Sequence, residues 1–217
     1  MCSLRHLYMS DVICREPLKI EMLENLETLT YISFDNWTYE LSGMGKMIRL
    51  KKLGIEEIDE NSNVSKLFAS LVELKNLGTL ILRGFRFRSM PCLDQLGILE
   101  GIHTLKLEGL LPKLPVSGTS FPRFLRSLTL VDSCLDEDPM PLLGAKLTML
   151  KHLKLRNAYT GQEMVISEYM HYLEVLCLEE MWNMRNVEIF RGRLYQLEKL
   201  DSRIVHIWRP YPKRLGR

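Results

Sequence analysis

The stretches LRSLTL (residues 125–130) and LKHLKL (150–155) share one spacing, and that spacing decides the fold. The same block recurs as IHTLKL from Ile102, LGTLIL from Leu77 and LEVLCL from Leu173. Looser copies begin at Leu50 (LKKLGI), Leu26 (LETLTY), Leu4 (LRHLYM) and Leu197 (LEKLDS). The starts at 4, 26, 50, 77, 102, 125, 150, 173 and 197 lie 22 to 27 residues apart. Leucine-rich repeats have periods of roughly 20–29 residues.

The fourth position of the block is leucine in all nine copies: Leu7, Leu29, Leu53, Leu80, Leu105, Leu128, Leu153, Leu176 and Leu200. The sixth reads Met9, Tyr31, Ile55, Leu82, Leu107, Leu130, Leu155, Leu178 and Ser202, polar only in the last copy. At 46% apolar composition, eighteen apolar residues at the first and fourth positions have a chance of about 10⁻⁶, before discounting the choice of register. A helical bundle needs apolar residues at a 3.6-residue period over longer windows than these. Alternation instead points both leucines of xLxLx to one face of a short strand. A lone strand of this length is unstable, so the leucines must join a core shared with neighbouring strands of a parallel sheet. The expected fold is an α/β leucine-rich-repeat solenoid, one domain spanning 1–217, with a parallel sheet on its concave face. Short helices or loops would return along the convex face. VSKLFASLVEL (64–74), free of Gly and Pro, predicts a helical return; FPRFL, LPKLPV and EDPMPLL carry prolines and predict turns or loops.

The ninth position, where many such repeats carry Asn or Cys, reads Val12, Phe34, Ile58, Phe85, Leu110, Ser133, Ala158, Met181 and Val205. Apolar packing should replace an asparagine ladder there, giving an irregular arc. Trp37, Trp182 and Trp208 are expected to anchor packing or loops rather than to stack on a ligand.

Charge is nearly balanced, with 29 Lys and Arg against 27 Asp and Glu and a net +2. That argues against duplex nucleic acid or an anionic membrane as a bulk electrostatic partner. The basic tail WRPYPKRLGR (208–217) carries too few charges for a phosphate-binding surface and is read as a solubilising end cap. No apolar run approaches the roughly 20 residues of a membrane span, and the first residues lack a signal-peptide core. The chain is therefore expected to be cytoplasmic, and the sequons Asn36-Trp37-Thr38 and Asn63-Val64-Ser65 to be chance matches. The five cysteines, Cys2, Cys14, Cys92, Cys134 and Cys177, form no CxxC pair and suggest neither a disulfide framework nor a zinc site. His6, His103, His152, His171 and His206 show no HExxH spacing, and no GxSxG elbow or GxxxxGK[ST] loop occurs. The acidic clusters Glu179-Glu180 and Asp136-Glu137-Asp138 read as ordinary surface. No enzyme, cofactor or metal is expected.

Two segments are more specific than the generic repeat. SFPRFLRSLTLVDSCLDEDPMPLL (120–143), with Phe121-Pro122 and Asp138-Pro139-Met140, and LKHLKLRNAYTGQEMV (150–165), with Gly161-Gln162-Glu163-Met164, are its most recognisable parts. They resemble late repeats of the coiled-coil class of plant nucleotide-binding leucine-rich-repeat disease resistance proteins. LEVLCLEEMWNMRNVEI (173–189), LENLETLTYISFDNW (23–37) and 65–82 also fit, so the resemblance covers nearly the whole chain. It implies a protein-binding sensor of intracellular immunity that reads a pathogen effector or a modified host protein. It also implies restraint of an ATP/ADP switch, whose nucleotide-binding domain is absent from this sequence. The first motif begins at Leu4 without a polar cap, which suggests a fragment or a truncated product.

The outward positions should carry recognition. The last column reads Ser10, Ile32, Glu56, Arg83, Glu108, Val131, Arg156, Glu179 and Arg203. With strands about 4.8 Å apart, Glu56–Arg83–Glu108 and Arg156–Glu179–Arg203 are expected to form alternating ladders. Lys106 and Lys154 would add charge from the middle column. Arg83, Lys106, Glu108, Lys154, Arg156 and Glu179 are the candidate protein-contact residues. The bland reading is a solvated face in which each exposed pair contributes only about 0–1 kcal/mol. Three alternatives remain: the substrate-reading arm of an F-box-type ubiquitin-ligase adaptor, an extracellular repeat receptor, and a repeat-fused enzyme. The first lacks an F-box, the second a signal peptide, cysteine caps and a repeated GxIP element, and the third room for a non-repeat domain.

Overall fold

The computed structural model describes residues 3–9, 22–39, 46–116 and 121–203. Ser10, Val12, Val205, Cys2, Cys14, His206, Trp208 and the tail 208–217 lie outside the described residues. The fold is of the α/β class, mostly parallel strand with few helices, and the sheet is not closed. The chain divides into two compact units, Met1–Leu125 and Arg126–Arg217.

In the first unit five strands, β1 (His6–Tyr8), β2 (Thr28–Ser33), β3 (Lys52–Ile58), β4 (Thr79–Gly84) and β5 (Thr104–Glu108), pair in chain order, all parallel. The fourth-position leucines are register partners: Leu7 with Leu29, Leu29 with Leu53, Leu53 with Leu80, Leu80 with Leu105. Leu29, Leu53, Leu80 and Leu105 are fully buried, as are Ile55, Leu82 and Leu107 at the sixth position. Helices α1 (Phe34–Tyr39) and α2 (Val64–Val72) lie in the connections. The Asn63 side chain accepts from Lys66 N at 3.0 Å and caps α2, as a side-chain oxygen at a helix start should. Fully buried Trp37 donates from Nε1 to Ser70 Oγ at 2.8 Å, tying α1 to α2.

In the second unit β6 (Ser127–Val131), β7 (His152–Arg156), β9 (Val175–Glu179) and β11 (Lys199–Arg203) form a parallel sheet. Leu128, Leu153, Leu176 and Leu200 are successive register partners. The first three are buried, while Leu200 is 38% exposed. A separate two-stranded parallel sheet, β8 (Glu163–Ile166) with β10 (Asn186–Ile189), lies in the connections and was not legible in the sequence.

One device repeats from rung to rung. The second-position carbonyl accepts two amides of the next strand: Arg5 O from Glu27 N and Thr28 N, Glu27 O from Lys51 N and Lys52 N. Lys51 O, Gly78 O, Arg126 O, Lys151 O and Glu174 O do the same. In the blocks from Leu26 onward a tight turn brings the first-position amide onto the carbonyl three residues back, as in Leu50 N to Met47 O and Leu150 N to Leu147 O at 3.0 and 3.1 Å. Met47, Leu74, Leu99, Leu147 and Met170 hold that earlier position and are buried.

Four expectations need correction. EDPMPLL is not a loop, because α3 runs Met140–Lys146. Its prolines stand at the cap and in the first turn, where a missing N–H removes no helical hydrogen bond. Asp138 Oδ1 accepts from Met140 N at 2.9 Å, and Oδ2 from Val165 N at 2.7 Å, so one carboxylate joins α3 to β8. Secondly, the β2–β3 register shifts between Leu29 and Ile32, so that Ile32 pairs with Ile55. Tyr31 (φ 63°) is bulged outward, and Ile32, fully buried, takes the inward place. Gly54 lies under this bulge: a Cβ there would stand 3.1 Å from Tyr31 N. Thirdly, the ninth position packs apolar side chains only in places. Phe34, Ile58, Ala158 and Met181 are buried, Ser133 is buried and polar, and Phe85 and Leu110 are exposed. Lastly, Trp182 is 75% exposed and anchors no packing.

The leucine column and the Asp138 bridge give separable expectations. Leu105→Ala and Leu153→Ala should each lower unfolding free energy by about 2–5 kcal/mol through lost burial and a residual cavity. Asp138→Ala, which strands the Met140 and Val165 amides, should cost about 1–3 kcal/mol. Urea titration followed by circular dichroism checks both, and an unchanged midpoint for Leu105→Ala would place that side chain outside the core.

Candidate functional site

The face opposite the leucines carries the charges, because alternation leaves those positions outside the core. In the first unit Arg83, near the end of β4, stands between its two neighbours. Its Nε donates to Glu108 Oε2 at 2.6 Å and its Nη1 to Glu56 Oε2 at 3.2 Å. Its guanidinium carbon lies 3.8 Å from the centroid of the outward Tyr31 ring, so the bulge in β2 supplies a cation–π contact. Lys106 pairs with the other Glu108 oxygen. The predicted Glu56–Arg83–Glu108 ladder therefore exists, and Lys106 joins it.

This cluster is half sunk into the sheet. The Glu56 and Glu108 side chains are 7% and 12% exposed, and that of Arg83 is 33% exposed. Burial pushes the Glu108 carboxyl up, but hydrogen bonds from Lys106 and Arg83 outweigh it and hold the group below its ordinary value. Burial likewise opposes the Arg83 cation, and the bond from Glu108 reverses the sign, leaving it raised.

The second unit differs. Arg156 lies in register with Glu179, yet the two form no ion pair. Glu179 instead takes Lys154 Nζ at 2.7 Å, and that hydrogen bond, against the opposing effect of burial, keeps its carboxyl below the usual range. Arg203 adds only charge at a distance. Arg156 has two loose contacts, Asp132 at 3.8 Å and Glu180 at 3.5 Å, and its buried Nε makes no hydrogen bond. The expected Arg156–Glu179–Arg203 ladder is thus replaced by a Lys154–Glu179 pair beside a poorly satisfied arginine. Lys154 reaches diagonally from β7 to Glu179 on β9, while Asp132 and Glu180, both left-handed at φ 54° and 53°, draw the guanidinium sideways. In the same column Ile32 and Val131 are buried and carry no contact surface.

Sequence reasoning missed a second charged column at the strand starts. Glu27 accepts from Arg5 Nε at 2.6 Å and from Lys51 Nζ at 3.0 Å. Lys151 Nζ donates to Glu174 at 2.5 Å in the other unit. The signal was present, since second-position charge alternates in sign over Arg5, Glu27 and Lys51 and again over Lys151 and Glu174. Among the described residues no group of three or more His, Cys, Asp or Glu is placed to hold a metal ion. No helix among them is long and apolar enough to cross a membrane.

These features define an α/β protein of mostly parallel strands whose face opposite the leucines is charged. No family model matches the sequence. Curated relatives do, and they agree with one another. The chain is 36% identical over 223 aligned positions, 98% of its length, to each of two Arabidopsis thaliana proteins, probable disease resistance proteins RF45 and RDL5. It is 32% identical over 214 positions, 94% of its length, to probable disease resistance protein RF9 of the same plant. The chain is a homologue of plant disease resistance proteins, consistent with the C-terminal region of a nucleotide-binding receptor. It spans about a fifth of the length of these relatives, 20% of RF9 and 21% of RF45.

The carboxylates make stability depend on pH. Glu27 is held at about 2, below its ordinary 4.5, by hydrogen bonds from Lys51 and then Arg5. A carboxyl lowered in the folded state adds stability that is full above 4.5 and lost as pH falls toward 2. Glu108, Glu174 and Glu179 act in the same direction. Asp138, raised by burial against its two backbone hydrogen bonds, has the opposite sign, and its contribution declines as pH rises. The unfolding midpoint should therefore fall below pH 4.5, and Glu27→Gln should flatten that acid limb. A limb of equal slope in wild type and Glu27→Gln would remove this assignment. Arg83→Ala should destabilise by about 2 kcal/mol, less than for a fully buried pair because Arg83 is partly exposed. Arg156→Ala should stay within about 1 kcal/mol.

Proposed function

We propose that the chain is a leucine-rich-repeat solenoid and the protein-binding region of an intracellular plant immune receptor, acting in defence as a sensor and as a brake on a switch domain. The supporting observation is the pairing of two features over one length. Equivalent leucines are register partners from strand to strand within each unit, and the chain aligns over 94–98% of its length with disease resistance proteins. Strands held together through an interior column leave an outer face on which the exposed side chains can vary at little cost to the fold, as recognition requires. Its partners in this reading are proteins: a pathogen effector or modified host protein, and the receptor's own nucleotide-binding domain. A cytoplasmic, non-catalytic role follows from the same reading. The ubiquitin-ligase alternative finds no support among the relatives, whose names all concern disease resistance.

Within the outer face Arg156, Lys154 and Glu179 are the contact residues of choice. Arg156 has only long, exposed ion pairs to exchange for a partner's carboxylate. Arg83 and Glu108 are engaged with their neighbours and hold the sheet. Charge reversal tests this division. Arg156→Glu combined with Glu179→Lys should remove proteins that co-purify with the wild-type chain from plant tissue and shift the melting temperature by under about 2 °C. Retention of the same partners by the double variant would take this strip out of the recognition surface.

A further inference from the structure

The turn Phe85–Arg88, after β4 in the first unit, contains a residue that neither folding nor solubility explains. Arg88 N bonds Phe85 O at 3.2 Å, so Phe87 is the third residue of the turn, at φ +60°. A bulky side chain in the left-handed region is a true conformational outlier, at a place where Gly or Asn is the relaxed choice. The Phe87 ring is also 96% exposed. The other left-handed positions behave differently. Gly109, Gly192, Cys134, Asp132, Asn157, Glu57 and Glu180 are small or polar, and Tyr31, the other aromatic, is stacked under Arg83. Phe87 is unfavourable in two independent ways within the folded chain, and backbone strain of this kind is characteristic of binding sites.

The turn is firmly built. Phe85 N bonds Ile58 O at 2.7 Å, Met90 N bonds Leu110 O at 2.8 Å with Met90 buried, and Arg88 Nη1 bonds Asp59 Oδ2 at 2.9 Å. Phe85 and Leu110, ninth-position residues of successive rungs, are 46% and 36% exposed, whereas Ile58, Ser133 and Ala158 at that position are fully buried. Phe85, Phe87 and Leu110 are thus three exposed apolar residues on two adjacent turns, where a Cβ at Gly109 would stand 3.2 Å from Gly84 Cα. Arg86 beside it is exposed, whereas Arg88 is paired with Asp59 and, at 3.9 Å, Glu60, so Arg86 supplies the cation at the rim.

We propose that Phe85, Phe87 and Leu110 form a docking site for an acidic amphipathic segment of another protein, Phe87 entering its apolar face and Arg86 meeting its carboxylates. An ordered aromatic anchor has little conformational freedom to lose on binding, and aromatic and arginine residues dominate binding energy at interfaces. The site shares no residue with the charged strip proposed above, and Arg156→Glu with Glu179→Lys should leave its binding unchanged, so either can fail alone.

The test selects a phage-displayed library of random peptides against the immobilised 217-residue chain. Enriched peptides should combine carboxylates with apolar residues at helical spacing. They should bind about tenfold or more weakly to Phe87→Ser and to Arg86→Glu, while Phe87→Ser melts at or above the wild-type temperature. Peptides that bind the variants unchanged, or a selection without acidic amphipathic sequences, would overturn the proposal. So would a lower melting temperature for Phe87→Ser, which would make the ring structural. Concentration-dependent dimers abolished by Phe87→Ser would assign the patch to a second copy instead. Phe87-dependent binding to phosphatidylserine vesicles would assign it to a lipid surface.

Discussion

The structure depends on register. Parallel strands paired at equivalent positions set each fourth-position leucine beside the leucine of the next rung. One short strand buries too little apolar surface to offset the entropy of ordering it. A column of leucines converts several marginal strands into one interior. The doubly accepting second-position carbonyls fix where each new strand starts, independently of what lies between rungs. Connections can then be helix, turn or a small separate sheet, because closing a longer loop adds little entropic cost.

The same register governs charge. Equivalent positions on neighbouring parallel strands are close, so like charges in one column repel and alternating ones attract. Arg5, Glu27 and Lys51 obey this at the strand starts, and Glu56, Arg83 and Glu108 at the other end. The rule is permissive rather than binding, as Arg156 and Glu179 show. They are register partners of opposite sign, yet Lys154, on the strand face beside Arg156, takes the carboxylate first. A nearby competitor on a flexible stem can displace the pairing that geometry alone suggests.

What the sequence disclosed follows from these rules. The fourth-position leucines, the strand at each copy and the helix over 64–72 were legible, because burial and alternation leave a mark every two residues. The bulge at Tyr31 was not. A six-residue block written without gaps places Tyr31 inward, and only Gly54, whose bare backbone admits the bulge, hints otherwise. The helix Met140–Lys146 was hidden by two prolines, whose meaning reverses between a helix interior and its first turn. Asp138 is the decisive residue there, a side chain that reads as surface acid until both of its oxygens are found on backbone amides. In the candidate site the Glu56–Arg83–Glu108 set was readable from column order, whereas the Glu27 and Glu174 pairs lay in a column left unread.

A division of labour within the outer face follows from burial. Around Arg83 the carboxylates are nearly covered, so removing the cation strands charges that water cannot easily reach. Exchange of such an arginine for a new partner would begin with a loss. Around Arg156 the partners are about half exposed and the contacts are long, so solvent already screens most of what they contribute. The buried Nε of Arg156 lies 3.5 Å from Glu180 and makes no hydrogen bond, so little holds this guanidinium in place. Two arginines at equivalent repeat positions are thus held differently, one by short bonds to nearly covered carboxylates and one by long contacts to half-exposed ones.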